Sequence, residues 1–209
     1  MVFEDVHDIL NTMRPPQNLD AYLRFITTET ARTAWPGSMM RGKKQVLRQG
    51  AKQAVERFFQ EKFPMGDLWL NPSQVADHYE AWHRRVSKDL AEALRGYMGA
   101  KRNTTDAVAA KLLDTFMHQL MKTERARVLW HRLHLPLDRR VFDALSRRGV
   151  EFDGKAKIAT ILKKPPYSIT RAEYETVQES MWSLLKRMPA DSAVGLRWTS
   201  RIELNWLWI

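Results

Sequence analysis

The chain contains no cysteine, and that absence removes disulfides, iron–sulfur clusters and thiolate zinc sites together. Glycine is sparse, with nine in 209 residues, and no convincing run of alternating β-branched residues occurs, which disfavours a sheet-based fold. No apolar stretch approaches the ~20 residues that span a bilayer. The opening MVFEDVHDILNTMRPP carries acids where a signal peptide has basic residues. These absences lead to the expectation of a cytoplasmic protein with no membrane partner.

What is present points to a folded chain. Hydrophobic residues make up 44% and charged residues 28%, with eight tryptophans, a balance that supports a core. The length suits one domain spanning 1–209, either a single compact unit or two small helical lobes around a cleft, and a monomer is expected. Lysine and arginine total 34 against 24 acids, a net charge of +10 and a pI near 10.0. A polyanionic partner is the leading expectation, and nucleic acid is the commonest one. A basic surface kept for solubility and an anionic membrane surface are the other readings of the same charge.

Apolar residues recur at helical spacing nearly throughout, so the expected fold is all-α. Helices are expected over 2–13, 18–34, 38–62, 72–98, 104–121, 137–148, 170–187 and 197–207. Breaks fall at Pro15-Pro16, Trp35-Pro36-Gly37, Pro64-Met65-Gly66, Asn71-Pro72, Gly149 and Pro165-Pro166, where proline or glycine stops a helix. No interdomain linker and no fixed-period repeat is evident. Within 38–62, Leu47, Ala51, Ala54 and Phe58 share a face beside a basic stripe of Arg41, Lys44, Arg48 and Lys52. Such a stripe either follows phosphates or is a solvated helix face.

The stretch KLLDTFMHQLMKTERARVLWHRLHLPLDRRVF, 111–142, holds the most informative pair of residues. In helix 104–121, Val108, Leu112, Phe116 and Leu120 form an apolar side widened by Ala109, Leu113 and Met117, and Lys111 lies off it near Thr115 and His118. Thr104 or Thr105 is a good N-cap, and the free N–H groups there suit a phosphate. Farther on, Pro136-Leu137-Asp138 opens the next helix. Taken singly, Asp138 reads as a capping residue, worth typically ~1 kcal/mol, and Lys111 as a solvated lysine.

Taken together, Lys111-Leu-Leu-Asp114 and Pro136-Leu-Asp138 resemble the catalytic core of the helix-hairpin-helix DNA glycosylases, nearest the 8-oxoguanine glycosylase branch. The likeness covers about residues 97 to 149, under a third of the chain. It departs from the family at the hairpin. A Leu-Pro-Gly-x-Gly-like turn normally precedes the lysine helix, whereas this chain has Gly99-Ala100-Lys101-Arg102-Asn103-Thr104-Thr105.

The resemblance implies an enzyme that flips a damaged or modified base out of double-stranded DNA and cleaves its N-glycosidic bond. Asp138 would stabilise positive charge developing on the sugar, and Lys111 would attack C1′, giving a Schiff base and strand nicking by a lyase step. By position, Thr115 and Gln119 would face the extruded base. Lys101, Arg102, Thr104, Thr105, Arg139 and Arg140 would contact DNA. No cofactor and no metal is expected, because His131 with His134 and His78 with His83 lack the spacing of a known metal motif. The substrate implied is an oxidised purine or, in anti-phage defence, a hypermodified cytosine such as the glucosylated hydroxymethyl form. An ordinary lysine keeps only ~0.04% free amine at neutral pH, so the sign of Asp114's influence matters: an ion pair with Lys111 would oppose its nucleophilicity. The rival expectation is a non-enzymatic helical nucleic-acid-binding protein in which Asp138 only caps and Lys111 only touches phosphate. A protein-interaction module with an acidic partner is the third.

Overall fold

A computed structural model describes residues 49–98, 105–120, 124–137, 139–147 and 155–187. The expected helices 2–13, 18–34 and 197–207 lie outside the described residues, as do Gly99 to Thr104, Asp138 and Gly149. The described part is all-α, and no strand occurs among the described residues. In chain order the helices are α1 (Ala51–Glu61), α2 (Met65–Leu70), α3 (Pro72–Asp77), α4 (Tyr79–Leu94), α5 (Thr105–Leu120), α6 (Arg139–Arg147), α7 (Lys155–Leu162) and α8 (Arg171–Arg187). Short 3₁₀ segments cover Arg95–Tyr97, Glu124–Arg132 and Pro166–Ser168.

Three local departures from the sequence reading have clear causes. The expected helix 38–62 is interrupted at Gly50, whose φ of +88° is left-handed, a conformation that side chains resist and that caps the start of α1. A Cβ there would also lie 2.9 Å from Tyr97 Cε1. Lys52 therefore stands on a helix that starts at Ala51, and Arg41, Lys44 and Arg48 lie outside the described residues. The expected helix 72–98 divides at His78, whose backbone at φ −117°, ψ 26° leaves the helical basin. Pro72 occupies the first turn of α3, where its missing N–H costs nothing. Finally, α2, α7 and the Glu124–Arg132 segment form where no helix is expected. α7 is short, and it buries Ile158, Ile161 and Leu162, which tertiary packing favours more than propensity does.

Apolar spacing explains the rest. α1 buries Ala51, Val55, Phe58 and Phe59, and α4 buries Tyr79, Trp82, Val86, Leu90 and Leu94, positions that return to one face every three or four residues. α4 and α5 form the most extensive helix pair. Between α1 and α5, Phe59 stacks on Phe116 with ring centroids 3.9 Å apart. Phe63 packs edge-on against Phe116 and Trp82, the T-shaped contact that aromatic quadrupoles favour. The start of α8 is a capping box: Thr170 Oγ1 accepts from the Glu173 N–H at 3.2 Å, and Glu173 Oε2 accepts from the Thr170 N–H at 2.8 Å.

The described residues form two buried clusters, and α5 belongs to both. Val108, Leu112, Phe116 and Leu120 pack with α1 and α4, whereas Ala107 and Ala110 pack with Leu135, Leu137, Val141, Phe142, Tyr174 and Val177. The lysine of interest therefore rides on the helix that joins the two halves of the interior.

Candidate functional site

Lys111 lies on α5, half-buried, directly after Ala110 and before Leu112, which are 0% and 2% exposed. One turn on, the Thr115 hydroxyl donates to the Lys111 carbonyl at 2.9 Å. Its hydrogen is thereby committed, and toward a ligand the oxygen can only accept. Thr105 begins α5 and is half-buried. Arg139 begins α6, is exposed and pairs with Asp143 at 2.9 Å, one turn along, a surface contact of small energetic weight. Gln119 and Arg140 belong to α5 and α6, but their side chains lie outside the described residues. Asp138, Lys101, Arg102 and Thr104 lie outside them entirely.

The segment Leu133 to Leu137, which leads into Asp138, is fixed from α8. Gln178, 1% exposed, accepts from the Leu135 N–H at 3.1 Å and donates to the Leu135 carbonyl at 2.7 Å. One side-chain amide thus satisfies both backbone groups of a buried, non-helical residue, which would otherwise carry a desolvation cost. Leu135 and Leu137 then bury completely beside Ala107 and Ala110 of α5.

Next to this contact lies a buried polar cluster. His83 (α4), Asp114 (α5) and His134 are 0%, 1% and 1% exposed. His83 Nε2 is 2.8 Å from Asp114 Oδ1, and Tyr174 of α8 donates its hydroxyl hydrogen to Asp114 Oδ2. Asp114 thus hydrogen-bonds His83 through one oxygen and Tyr174 through the other, with His134 Nδ1 3.8 Å from Oδ1. Burial, reinforced by the charge of Asp114 and the hydrogen bond to it, raises the Tyr174 phenol well above its ordinary pKa, so the ring stays protonated and donating. The His83 and Tyr174 rings lie parallel, 1° apart in plane.

An outer ring of charges surrounds the cluster. Arg171 sends Nη2 to His83 Nδ1 at 3.3 Å, Nη1 to Ser87 Oγ at 2.8 Å and Nε to Glu175 Oε1 at 2.9 Å. Arg84 reaches the same Glu175 oxygen at 3.0 Å, and the Arg171 guanidinium sits 5.1 Å from the Tyr174 ring centroid. Partial burial pushes the Glu175 carboxyl up, but the two guanidiniums more than reverse this and hold it below the ordinary range.

His83, Asp114 and His134 each offer one ligand atom within 4.8 Å of the others, close enough to consider a metal. Hydrogen placement opposes that use. Arg171 can only donate, so His83 Nδ1, which faces it, must carry the lone pair and Nε2 must carry the hydrogen given to Asp114. A protonated nitrogen does not ligate, and moving the hydrogen to Nδ1 would set two donors face to face. The donor set fits a hydrogen-bonded network instead.

Sequence reasoning noticed every member of this cluster except Tyr174 without joining them. His78 with His83 and His131 with His134 are judged as local pairs, but the fold takes one histidine from each. The available signal was polarity on an apolar face: His83 sits among Tyr79, Trp82 and Val86, and Asp114 sits beside Leu113 on the core side of α5. A separate cleft of about 470 Å³ is lined by Asp67, Asn71, Gln74, His78, Trp82 and Arg85. Among the described residues, none of the expected site residues lines it.

Compared with protein-family models, with characterised proteins and with solved structures, the chain matches none.

Proposed function

We propose that the protein is a DNA glycosylase that extrudes a modified or damaged base from double-stranded DNA and releases it, with Lys111 as nucleophile and Asp138 as the carboxylate that steadies the charged sugar. One observation carries the reading. Ala107 and Ala110, which precede Lys111 on α5, share a buried cluster with Leu135, Leu137, Val141 and Phe142, which flank position 138 on both sides. The segments on either side of position 138 thus pack against the helix that bears Lys111, as joint chemistry would require.

The chemistry needs a neutral amine. Lys111 attacks C1′, the glycosidic electron pair leaves with the base, and the base takes up a proton. The lysine nitrogen gives up a proton, the C1′–O4′ bond breaks and O4′ takes a proton, which opens the sugar to an iminium; loss of a C2′ proton then expels the 3′ phosphate and breaks the strand. Asp114, one turn along α5 from Lys111, hydrogen-bonds His83 and Tyr174. The net charge of +10 suits the backbone contacts on which DNA affinity depends, and paying for base extrusion takes a few kcal/mol of that binding.

The test is mass spectrometry of bases released from DNA carrying oxidised purines, and from phage DNA carrying glucosylated hydroxymethylcytosine. Release by the native protein, abolished in Asp138→Asn with DNA binding retained, is the expected result. DNA binding with no release from any of these substrates would instead identify a non-enzymatic binding protein.

A further inference from the structure

We propose that His134 is a positioning residue, held in the interior as a doubly protonated imidazolium that fixes the segment leading to Asp138 against the helix bearing Lys111. Its functional consequence rests on the glycosylase reading, whereas its protonation state does not.

His134 Nε2 lies 2.8 Å from Glu80 Oε2, and Nδ1 lies 3.1 Å from the Tyr174 hydroxyl oxygen and 3.8 Å from Asp114 Oδ1. Tyr174 has one hydrogen, and it goes to Asp114 Oδ2. Toward His134 the phenol therefore presents a lone pair. Both imidazole nitrogens then face acceptors, so both carry hydrogen and the ring is a cation. Its charge is answered by Asp114 inside and by Glu80, whose side chain is 62% exposed, outside.

The groups facing His134 come from three helices. Glu80 and His83 belong to α4, Asp114 to α5 and Tyr174 to α8. His83 is neutral by the Arg171 argument, with its ring centroid 4.3 Å away, and Tyr79 of α4 meets the imidazole edge-on at 5.4 Å. Asp114 is one turn along the helix from Lys111, and His134 is four positions before Asp138. The imidazolium is thus a charged fastener between the two motif segments, and it weakens when the ring loses a proton: one of its two contacts then has no hydrogen.

The test has one arm free of activity and one tied to it. Long-range ¹H–¹⁵N spectra of the full-length protein, with histidine resonances assigned in the native chain, report each ring nitrogen at neutral pH. The expected result is two protonated nitrogens for His134 and one for His83. A bare nitrogen on His134 overturns the proposal whatever the protein's activity. For the second arm, single-turnover base release and DNA affinity are measured against pH for the native protein and Glu80→Gln, a variant at an exposed site that keeps a hydrogen-bond acceptor. Removing the Glu80 charge should move the alkaline limb of the release profile down by about 1 pH unit with DNA affinity unchanged. An unmoved limb, or a uniform fall in rate at every pH, would show a merely structural histidine. If the native protein releases no base at all, the glycosylase reading fails. The imidazolium is then still judged by the spectra and by whether the alkaline fall in unfolding temperature begins at lower pH in Glu80→Gln.

Discussion

Gln178 holds Leu135 by both of its backbone groups, accepting from the N–H at 3.1 Å and donating to the carbonyl at 2.7 Å. The relationship spans 43 residues and sets the path of the chain three positions before Asp138. Replacement by leucine, of similar size, leaves a buried donor and acceptor without partners, at roughly 2–5 kcal/mol for the two. Urea unfolding of Gln178→Leu should show a loss of that size. A loss below 1 kcal/mol would mean that the segment finds other partners.

Asp114 is the acceptor on which the buried cluster converges. Asp114→Asn turns one acceptor into a donor facing His83 or Tyr174, and breaking such a buried charged network typically costs about 3–5 kcal/mol. Tyr174→Phe removes one hydroxyl, the donor to Asp114 and the acceptor from His134, but leaves the carboxylate charge in place and should cost less. Because the two share one hydrogen bond, the double variant should lose less stability than the two single losses together. Simple additivity in a denaturation cycle would show the groups to be energetically independent.

Glu175 links α4 to α8 through Arg84 and Arg171, and those guanidiniums hold its pKa below the ordinary 4.5. A carboxyl depressed in the folded state contributes stability that is present above its unfolded pKa and is lost as pH falls through the lower folded value. Glu173, also depressed, is pushed up by partial burial and down more strongly by Lys164 and Thr170. Acid unfolding followed by circular dichroism should therefore show part of its transition below pH 4.5. Glu175→Gln should be less stable at neutral pH and should flatten that acid limb, and an unchanged acid limb would contradict the assignment.

Gly50 is required twice over, by its left-handed backbone and by Tyr97, whose Cε1 lies 2.9 Å from where a Cβ would stand. Gly50→Ala should lower stability by about 1–3 kcal/mol. In a Tyr97→Ala background the same change should cost less, because the steric part is gone and the backbone part remains. Thermal unfolding of the four proteins separates the two contributions.

The all-α class was legible because α1, α4, α5 and α8 each carry apolar residues at helical spacing. α5, described over Thr105–Leu120, lies within the expected 104–121, where the apolar periodicity is clear. The turn at Gly50 was harder to read, since an isolated glycine in a helical pattern is tolerated and neither its left-handed backbone nor the approach of Tyr97, far along the chain, shows in the local sequence. α7 escaped notice because its eight residues draw on tertiary burial. At the site, Lys111 and Thr115 were singled out, and the fold places both half-buried on one helix. The His83–Asp114–His134–Tyr174 cluster was not assembled, because its members are drawn from three helices and a loop, and spacing along the chain carries no trace of that convergence.

Borohydride trapping on modified duplex DNA, with the cross-linked peptide identified by mass spectrometry, tests the central claim most directly. A covalent adduct mapped to Lys111 and lost in Lys111→Gln is the predicted result. An adduct of equal yield in that variant, or one mapped to a different lysine, would contradict it.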